Sequence, residues 1–335
     1  MSPRPRLWIV IVNYRTADLV IDCLRSLEHQ VSALRDGQVL VLDNHSGDGS
    51  VEKIAAAIEY EGWQDWANAI QLNRNGGFSF GSNIGIRRAL AIPGRVDYVM
   101  LVNPDTIVRP EALNVLVGFM EAHPEAGIAG SLLERPDGEL DCSAHRIHSP
   151  LSELEGGARL GVLSRLLNQH VVSPPLRPEA HTCDWVSGAS MIIRREVIED
   201  IGLLDEGFFL YFEEVDYCWR ARKAGWEVWY VPQSRVMHLE GAATGIKAVS
   251  KRRAAYWYDS RRRFFIKHYG IVGLLLADTL WTFGRLTLLL RNIVGLGGKG
   301  IKNDPKWFMP DLILGDLRSI VTGQAFSIRK GSPLC

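Results

Sequence analysis

Two side chains near the ends of predicted strands are candidate metal ligands. Asp105, in Asn103-Pro104-Asp105-Thr106, directly follows an apolar run that has no packing use for a carboxylate. A carboxylate in this position can bind a divalent cation that also binds a diphosphate, although Asn, Pro and Asp are common turn formers as well. His238 follows another apolar run. A neutral imidazole is a good ligand for manganese-like ions, although a single histidine is more often structural.

Three acidic residues near the start of a predicted helix are candidates for acid or base chemistry. Glu213, Glu214 and Asp216 lie where the helix dipole accommodates negative charge, so they can also be ordinary N-terminal helix acids. At 100° per residue, Glu213, Asp216 and Arg220 share one side of the helix, whereas Glu214 points elsewhere. At least one acid is therefore free to face a pocket.

Two further features have the chemistry to contact a nucleotide. Asp43 ends an apolar run, where its side chain can accept a hydrogen bond from a nucleobase imide or a sugar hydroxyl, or cap the following turn. The glycine-rich segment 73–83 leads into a helix, and its backbone amides could approach a phosphate. The segment does not match the dinucleotide pattern, and no P-loop sequence occurs. Both of those nucleotide-binding classes therefore lose their main support.

Alternating strands and helices position these residues in the first 133 residues. Apolar runs predict buried strands at residues 7–12, 39–42, 69–72 and 98–102, and amphipathic stretches predict helices at residues 16–30, 50–60 and 81–91. The alternation predicts an α/β fold with a Rossmann-like, mostly parallel sheet flanked by helices. Ligands of such sheets bind beyond the carboxyl ends of the strands, where Asn13, Asp43, Asn73 and Asn103 follow the four runs.

The remaining pattern divides the chain near residue 241. Residues 134–141 predict a hairpin, and residues 142–182 form a weakly patterned insertion with several prolines. A helix is predicted from Glu213 to about Ala224, before a strand over residues 226–231. After Gly241 the composition becomes basic and aromatic, then rich in leucine. We therefore predict one large domain over residues 1–241 and a helical C-terminal region over residues 242–335.

Composition excludes several classes of protein. The 335 residues are 47% hydrophobic and 23% charged, which is typical of a globular chain and not of a disordered or polytopic membrane protein. Basic and acidic residues both number 38, so no overall charge attracts nucleic acid. Five scattered cysteines without a CxxC pair argue against a disulfide framework or zinc site and favour a reducing compartment. The first apolar run is too short for a signal peptide, which predicts a cytoplasmic protein.

The C-terminal region has features of a membrane surface. Basic residues between Lys251 and Lys267 alternate with aromatic ones, a composition that suits anionic headgroups; nothing else in the chain suits nucleic acid. Asp278, Arg285 and Arg291 interrupt the leucine-rich stretch that follows, so it is a poor spanning helix. Its polar residues fall along one stripe opposite an apolar face. That face predicts peripheral membrane contact; the alternative is packing on the large domain or on another subunit.

Seven short motifs occur in order over roughly residues 7–241. They are Asn13-Tyr14-Arg15, Asp43-Asn44, Asn75-Gly76-Gly77-Phe78, Asn103-Pro104-Asp105, the segment from Trp185 to Ala189, Glu213-Glu214-Val215-Asp216 and Val236-Met237-His238. Together they resemble the family 2 glycosyltransferases of the rhamnosyltransferase type. The resemblance implies a GT-A fold, a dTDP- or UDP-linked sugar donor, a divalent metal (Mn²⁺ or Mg²⁺) and inversion at the anomeric carbon. The sequence departs from the family pattern in two places, since Asn103 replaces the first acid of Asp-x-Asp and Glu214 stands where Asp is common.

The resemblance also implies roles for individual residues. Asp43 would contact the nucleoside, Asp105 would bind the metal with help from His238, and Glu214 would be the general base, with Glu213 and Asp216 as the alternatives. Nucleotide contacts are implied for Asn13, Tyr14, Arg15, Asn75, Gly76, Gly77, Phe78 and Asn103, and sugar or acceptor contacts for Trp185, Gly188 and Ala189. The insertion over residues 142–182 could then be a loop on the acceptor side. We expect transfer of a deoxyhexose such as rhamnose to a lipid-linked or cell-envelope glycan on the inner face of the membrane.

Two other functions are weighed against this one. A nucleotidyltransferase can share the parallel sheet, but it would have a glycine-rich basic loop after the first strand, unlike Asn13-Tyr14-Arg15-Thr16. A catalytically degenerate sugar-nucleotide-binding module would be expected to have lost Asp105, His238 or the Glu213-Glu214 pair, and all of these are present.

Overall fold

The computed structural model of the protein describes residues 7–34, 37–91, 96–239, 252–295 and 304–325. The chain forms two compact units. The first consists of residues 1–145, 175–209 and 213–245, and the second of residues 146–174, 210–212 and 246–335. The second unit thus takes in the middle of the predicted insertion as well as the C-terminal region.

The elements are numbered along the chain. Those of the first unit are β1 (Leu7–Asn13), α1 (Ala17–Ala33), β2 (Gln38–Asp43), α2 (Ser50–Tyr60), β3 (Ala67–Gln71), α3 (Gly77–Leu90), β4 (Tyr98–Val102), β5 (Thr106–Val108), α4 (Ala112–Ala122), β6 (Ala126–Glu134), β7 (Leu140–Asp141), β8 (Ala144–His145), β9 (His181–Thr182), β10 (Trp185–Val186), β11 (Ser190–Arg194), α7 (Arg195–Ile201), α8 (Glu213–Lys223) and β12 (Glu227–His238). Those of the second unit are α5 (Pro150–Ala158), α6 (Gly161–Leu166), a 3₁₀ turn (Asn168–His170), α9 (Ala255–Ile293) and α10 (Phe308–Val321).

The described part of the first unit is built on a ten-stranded sheet in the order β3-β2-β1-β4-β11-β6-β12-β5, with β7 and β9 attached at β6 and β12. Strands β3, β2, β1 and β4 are parallel, and β6 and β12 are parallel to each other. β11 and β5 run antiparallel to their neighbours. The predicted mostly parallel sheet flanked by helices is confirmed. The two reversed strands were not predicted, because short apolar runs carry no signal of direction.

Close packing on the sheet explains the glycines of α3. A Cβ atom added at Gly81 would lie 2.8 Å from Val12, and one at Gly85 would lie 2.5 Å from Val10. Larger residues would push α3 away from β1, so glycine is kept despite its cost within a helix. This contact places the start of α3 beside the carboxyl ends of β1 and β2. The helix begins at Gly77, four residues before the predicted start.

Helices also pack closely within the second unit. A Cβ atom at Gly157 of α5 would lie 2.6 Å from the carbonyl oxygen of Trp281, and one at Gly284 of α9 would lie 2.7 Å from Leu154 O. α5 lies within the insertion and was not predicted as a helix, because paired glycines disfavour a helix in isolation. Its tertiary contact with α9 explains why it forms.

Part of the basic and aromatic segment near the start of α9 is interior, and the residues concerned do not belong to a headgroup-binding surface, contrary to expectation. Arg261 is 1% exposed and Arg262 is buried, as are Tyr258, Phe264 and Phe265. Lys251 lies outside the described residues.

Candidate active site

The carboxyl ends of β1 and β2 are joined by a buried hydrogen-bond cluster. Asp43 Oδ1 accepts from Asn13 Nδ2 at 2.7 Å and from Ser46 Oγ at 2.5 Å, and Asp43 Oδ2 accepts from the Ser46 amide at 3.0 Å. Both carboxylate oxygens of Asp43 therefore accept hydrogen bonds from the turn that follows β2. This is the turn-capping role that the sequence left open for Asp43. Its predicted contact with a nucleoside stays a prediction.

Tyr14 and Arg15 are exposed directly after β1. Arg15 has a positive φ of 59°, which sends its side chain back over the turn after β2. Its amide donates to Ser46 Oγ at 2.9 Å, and its Nε donates to Ser46 O at 3.1 Å. The guanidinium carbon lies 5.2 Å from the Tyr14 ring centroid. An aromatic ring and a positive charge are thus presented together at the predicted nucleotide side of the sheet.

Asn44 connects β2 with the glycine-rich bend, although it was not among the predicted site residues. Its Nδ2 donates to Asn75 Oδ1 and to the Gly77 carbonyl oxygen, both at 3.0 Å, and its Oδ1 accepts from the Gly76 amide at 3.4 Å. The only signal in the sequence was its position beside Asp43.

The amides of the bend have acceptors within the protein. The Gly77 amide donates to Asn75 Oδ1 at 3.1 Å, and the Phe78 amide donates to the Phe209 carbonyl oxygen at 2.7 Å. Gly77 has a φ of +86°, and a Cβ atom there would lie 2.1 Å from Phe209 O, so only glycine fits. The expected approach of these amides to a phosphate would have to displace these bonds. The contacts instead fix the backbone of the bend from Asn75 to Phe78.

Asn103, Asp105 and His238 meet at the ends of β4, β5 and β12. His238 Nε2 lies 3.3 Å from Asp105 Oδ1 and 3.4 Å from Asn103 Nδ2. β12 pairs with β5 so that His238 opposes Thr106, and the Leu239 amide donates to Asp105 O at 2.9 Å. The sheet register therefore fixes the imidazole beside a carboxylate that is nearly fully buried.

This group suits a divalent cation. It supplies a carboxylate oxygen, an imidazole nitrogen and an amide whose oxygen and nitrogen can exchange places by rotation. These are ligand types that Mn²⁺ accepts. Among the described residues, no group of three or more His, Cys, Asp or Glu side chains could hold a metal ion.

Gly188 lies between the residues of two other motifs. A Cβ atom at Gly188 would lie 3.8 Å from Glu214 Cβ and 3.9 Å from Phe78 Cε1. The Ala189 carbonyl oxygen accepts from the Asn103 amide at 3.1 Å, which links this segment to the metal-ligand candidates. Trp185 stacks on His145 with ring centroids 4.0 Å apart. Gly188 and Ala189 thus connect the bend, the acids of α8 and the end of β4.

Glu213 is buried and Glu214 is half-buried, and neither has a counter-ion among the described residues. The Oε2 atom of each is buried and has no hydrogen-bond partner there. Burial raises the pKa of Glu214 to about 7. Burial, followed by the charge of Glu214, raises the pKa of Glu213 well above its usual value. Two carboxyl groups on consecutive residues, both with raised pKa values, are suited to proton transfer near neutral pH.

Comparison with known proteins decides the family. Residues 3–260 match the model of the family described as Glycosyltransferase like family 2. The chain belongs to this family. The glycosyltransferase is 29% identical over 255 residues to N-acetylglucosaminyl-diphospho-decaprenol L-rhamnosyltransferase of Mycobacterium tuberculosis, covering 71% of this chain and 77% of that protein. It is 23% identical over 294 residues to dTDP-rhamnosyl transferase RfbF of Shigella flexneri, covering 85% and 88%.

Solved structures share the fold of the glycosyltransferase. The mannosyltransferase PcManGT of Pyrobaculum calidifontis, solved with GDP-Man and Mn²⁺, has a TM-score of 0.51 at 15% identity, over 98% of this chain and 81% of that one. GalNAc-T7, solved with UDP, GalNAc and Mn²⁺, has a TM-score of 0.57 at 15% identity, over 95% and 58%. The predicted GT-A fold is confirmed.

Asp216 of the glycosyltransferase differs from the two neighbouring acids. Its Oδ2 accepts from Arg220 Nε at 3.0 Å, and Arg220 also donates to the carbonyl oxygens of Ile201 and Leu203, both at 2.7 Å. This ion pair, in which Asp216 is fully buried and Arg220 is half-buried, fastens α8 to the end of α7 and the loop that follows it. Asp216 therefore has a structural partner, and Glu213 and Glu214 remain as candidate bases.

Proposed function

We propose that the glycosyltransferase moves a sugar, with inversion, from a nucleotide-diphosphate donor to a hydroxyl of a lipid-linked or cell-envelope glycan. The observation that carries this proposal is the position of Glu214, whose Cβ atom lies beside Gly188, with Phe78 on the other side of that glycine, and whose Oε2 atom is buried without a hydrogen-bond partner among the described residues. The names of the relatives support rhamnose from a dTDP-linked donor and an acceptor on a polyprenyl diphosphate. UDP-linked donors are the alternative.

Glu214 is assigned as the general base. In a single displacement the acceptor hydroxyl loses its proton as its oxygen attacks the anomeric carbon, so one carboxylate beside it is enough. With a pKa of about 7, Glu214 is substantially ionised at neutral pH and basic enough to accept that proton. Burial and the charge of Glu214 raise the pKa of Glu213 well above its usual value, which favours the protonated form of Glu213 while Glu214 is ionised. A retaining double displacement would require an additional nucleophile.

Asp105, His238 and Asn103 are assigned as the residues that hold a divalent metal, Mn²⁺ or Mg²⁺. When bound, such an ion offsets the negative charge that develops on the departing diphosphate. Asn13, Tyr14, Arg15, Asp43 and the bend from Asn75 to Phe78 form the nucleotide side, and Trp185 to Ala189 the sugar and acceptor side. Residues 1–241 would carry the chemistry. Residues 242–335, together with the helices of the insertion, would serve a membrane-borne acceptor at the cytoplasmic face.

The two rival functions are less well supported. Family membership argues against a nucleotidyltransferase. A degenerate binding module would have no reason to keep two enclosed carboxyl groups without counter-ions, because each costs stability.

A donor panel tests the proposal. The purified full chain is incubated with dTDP-rhamnose, UDP-sugars and GDP-mannose in Mn²⁺, and donor hydrolysis and thermal stabilisation are measured. We expect one dTDP- or UDP-linked donor to stabilise the protein and to be hydrolysed slowly. NMR of the product formed with an acceptor glycan should show the inverted anomer. A product that retains the donor configuration, or hydrolysis of no donor, contradicts the proposal.

A further inference from the structure

The second half of α9 buries two of its charged residues and leaves several large apolar side chains exposed. α9 is interrupted at Gly270, where φ is 73° and ψ is 179°. After this point, Asp278 and Arg285 are buried, and each is paired within the second unit. The sequence correctly predicted a polar stripe opposite an apolar face. The polar stripe faces the interior of the second unit. A helix on a water-exposed surface has the reverse orientation, with its polar residues facing solvent.

The outward side of this helix is a continuous apolar stripe. Its large side chains recur at intervals of three or four residues, apart from the exposed Thr279 that fills one position. They are Val272, Leu276, Phe283, Leu286, Leu290 and Ile293. Phe283 is 60% exposed and Ile293 is 81% exposed. At 100° per residue these positions span about 100° of the helix surface, the width of a stripe that normally faces a protein core.

Two other helices of the second unit also expose apolar side chains, and one of them, α10, buries an acid. On α10, Asp316 is buried, whereas Leu314, Leu317 and Val321 are exposed at a spacing of three and four residues. On α6, Val162 and Leu166 are exposed. A coiled-coil contact with a second copy would need one seam on one helix. Apolar exposure on three helices instead suits an extended apolar medium.

Exposed basic residues lie close in sequence to these side chains. Arg165 follows Val162 by three residues on α6, Arg318 directly follows Leu317 on α10, and Lys306 lies just before that helix; all three are exposed. Asp311 of α10 is paired with Arg252, and Asp304 is paired with Arg159 and Arg285. Exposed positive charge next to apolar side chains matches the anionic surface of a bilayer.

The packing of α9 argues that it lies along a membrane and does not cross one. Among the described residues, α9 is the one helix long and apolar enough to span, but 44% of its most apolar window is buried. Its inner side is held by the close contact of Gly284 with α5 and by the ion pair from Asp278 to Arg261 at 2.9 Å. A spanning helix would expose that charged side to lipid, at a high cost.

We propose that the exposed apolar side chains of α9, α10 and α6 insert shallowly into the interface of a bilayer that contains anionic lipid. Arg165, Lys306 and Arg318 contact the headgroups. The proposal concerns a surface of the second unit, and it is related to the proposed function only through the lipid that the acceptor would carry. A second copy of the chain is the competing occupant.

Flotation of the full chain with vesicles tests the proposal. Vesicles of phosphatidylcholine mixed with phosphatidylglycerol are compared with vesicles of phosphatidylcholine alone. The wild type should float with the mixed vesicles, more weakly at high salt and with phosphatidylcholine alone. The triple variant Leu276→Ser, Phe283→Ser and Leu290→Ser should bind about a hundredfold more weakly, because each inserted side chain contributes several-fold. Arg318→Gln should reduce only the preference for anionic vesicles.

Tyr60→Ser is the matched control, since Tyr60 lies on α2 of the first unit and is 89% exposed. It should bind vesicles as the wild type does. Unchanged flotation of the triple variant overturns the proposal. So does a wild type that fails to float but elutes as a dimer which the triple variant converts to monomer. Donor hydrolysis without vesicles is measured in parallel. Flotation without hydrolysis of any donor rejects only the proposed function. Hydrolysis without flotation rejects only the proposed contact with a bilayer.

Discussion

Each unit of the molecule buries a group of carboxyl side chains, and the two groups differ in what surrounds them. In the second unit, Arg261 contacts Asp278 at 2.9 Å, Glu153 at 2.9 Å and Asp316 at 3.2 Å. In the first unit, Glu213 and Glu214 each leave an enclosed oxygen with no partner among the described residues. Buried charge is costly unless it is paired. The paired group therefore indicates a contact that joins helices, and the unpaired group indicates a site kept for chemistry.

The strongest test of this contrast is Glu214→Gln. Removing a general base should lower kcat by about a thousandfold or more while leaving nucleotide binding intact. The variant should be at least as stable as the wild type at pH 8, because it removes an enclosed carboxylate without a counter-ion. Product formation, nucleotide titration and thermal unfolding provide the three measurements. Unchanged turnover would transfer the role of base to Glu213.

Arg261→Met should lower the stability of the protein, whereas Glu214→Gln should not. It leaves Glu153, Asp278 and Asp316 without their shared guanidinium, and removing one partner of a buried ion pair costs about 3–5 kcal/mol. Denaturant unfolding should show this loss. Replacing Arg25, whose pairs with Asp22 and Glu61 are exposed, by Met should cost less than about 1 kcal/mol. Similar losses for both variants would contradict the distinction between buried and exposed pairs.

Asp105→Ala tests whether Asp105, a third buried acid, is a ligand of the proposed metal site. Loss of a direct ligand should weaken Mn²⁺-dependent nucleotide binding by about a hundredfold. Binding measured in a chelator should change little. His238→Ala should also weaken Mn²⁺-dependent nucleotide binding, but by a smaller factor, because the negative charge of the site is on the carboxylate of Asp105. Equal nucleotide affinity of wild type and Asp105→Ala in Mn²⁺ would exclude this metal site.

The pH dependence should show a smaller effect that also separates the two glutamates. Glu214 acts as a base only when ionised, so kcat/KM should rise with pH through about 7, where burial places its pKa. Glu213→Gln should leave this rise close to the same pH, because burial is the main cause of the raised pKa of Glu214, and burial together with the charge of Glu214 favours the protonated form of Glu213. A rise displaced by more than about one pH unit in Glu213→Gln would show that Glu213 is charged when Glu214 titrates.

Much of the candidate site could be predicted from local sequence. β4 and α2 have the predicted bounds, and the hairpin over residues 134–141 forms between β6 and β7. Strands buried on both faces are apolar throughout, so their ends are marked by the first polar residue. Asn13, Asp43 and Asn103 could therefore be placed at one edge of the sheet. The part played by Asn44 could not be predicted, because its partners lie 31–33 residues away.

The sequence by itself determined which residues share a strand end or a helix face, since a period of two or 3.6 residues follows from backbone geometry alone. Only the tertiary structure decided which face of α9 is buried. Asp278 can be interior because Arg261 reaches it from 17 residues away, and Arg261 in turn contacts Asp316, 55 residues away. Whether a buried carboxyl group is paired depends on such distant partners, and no local pattern of residues contains that information.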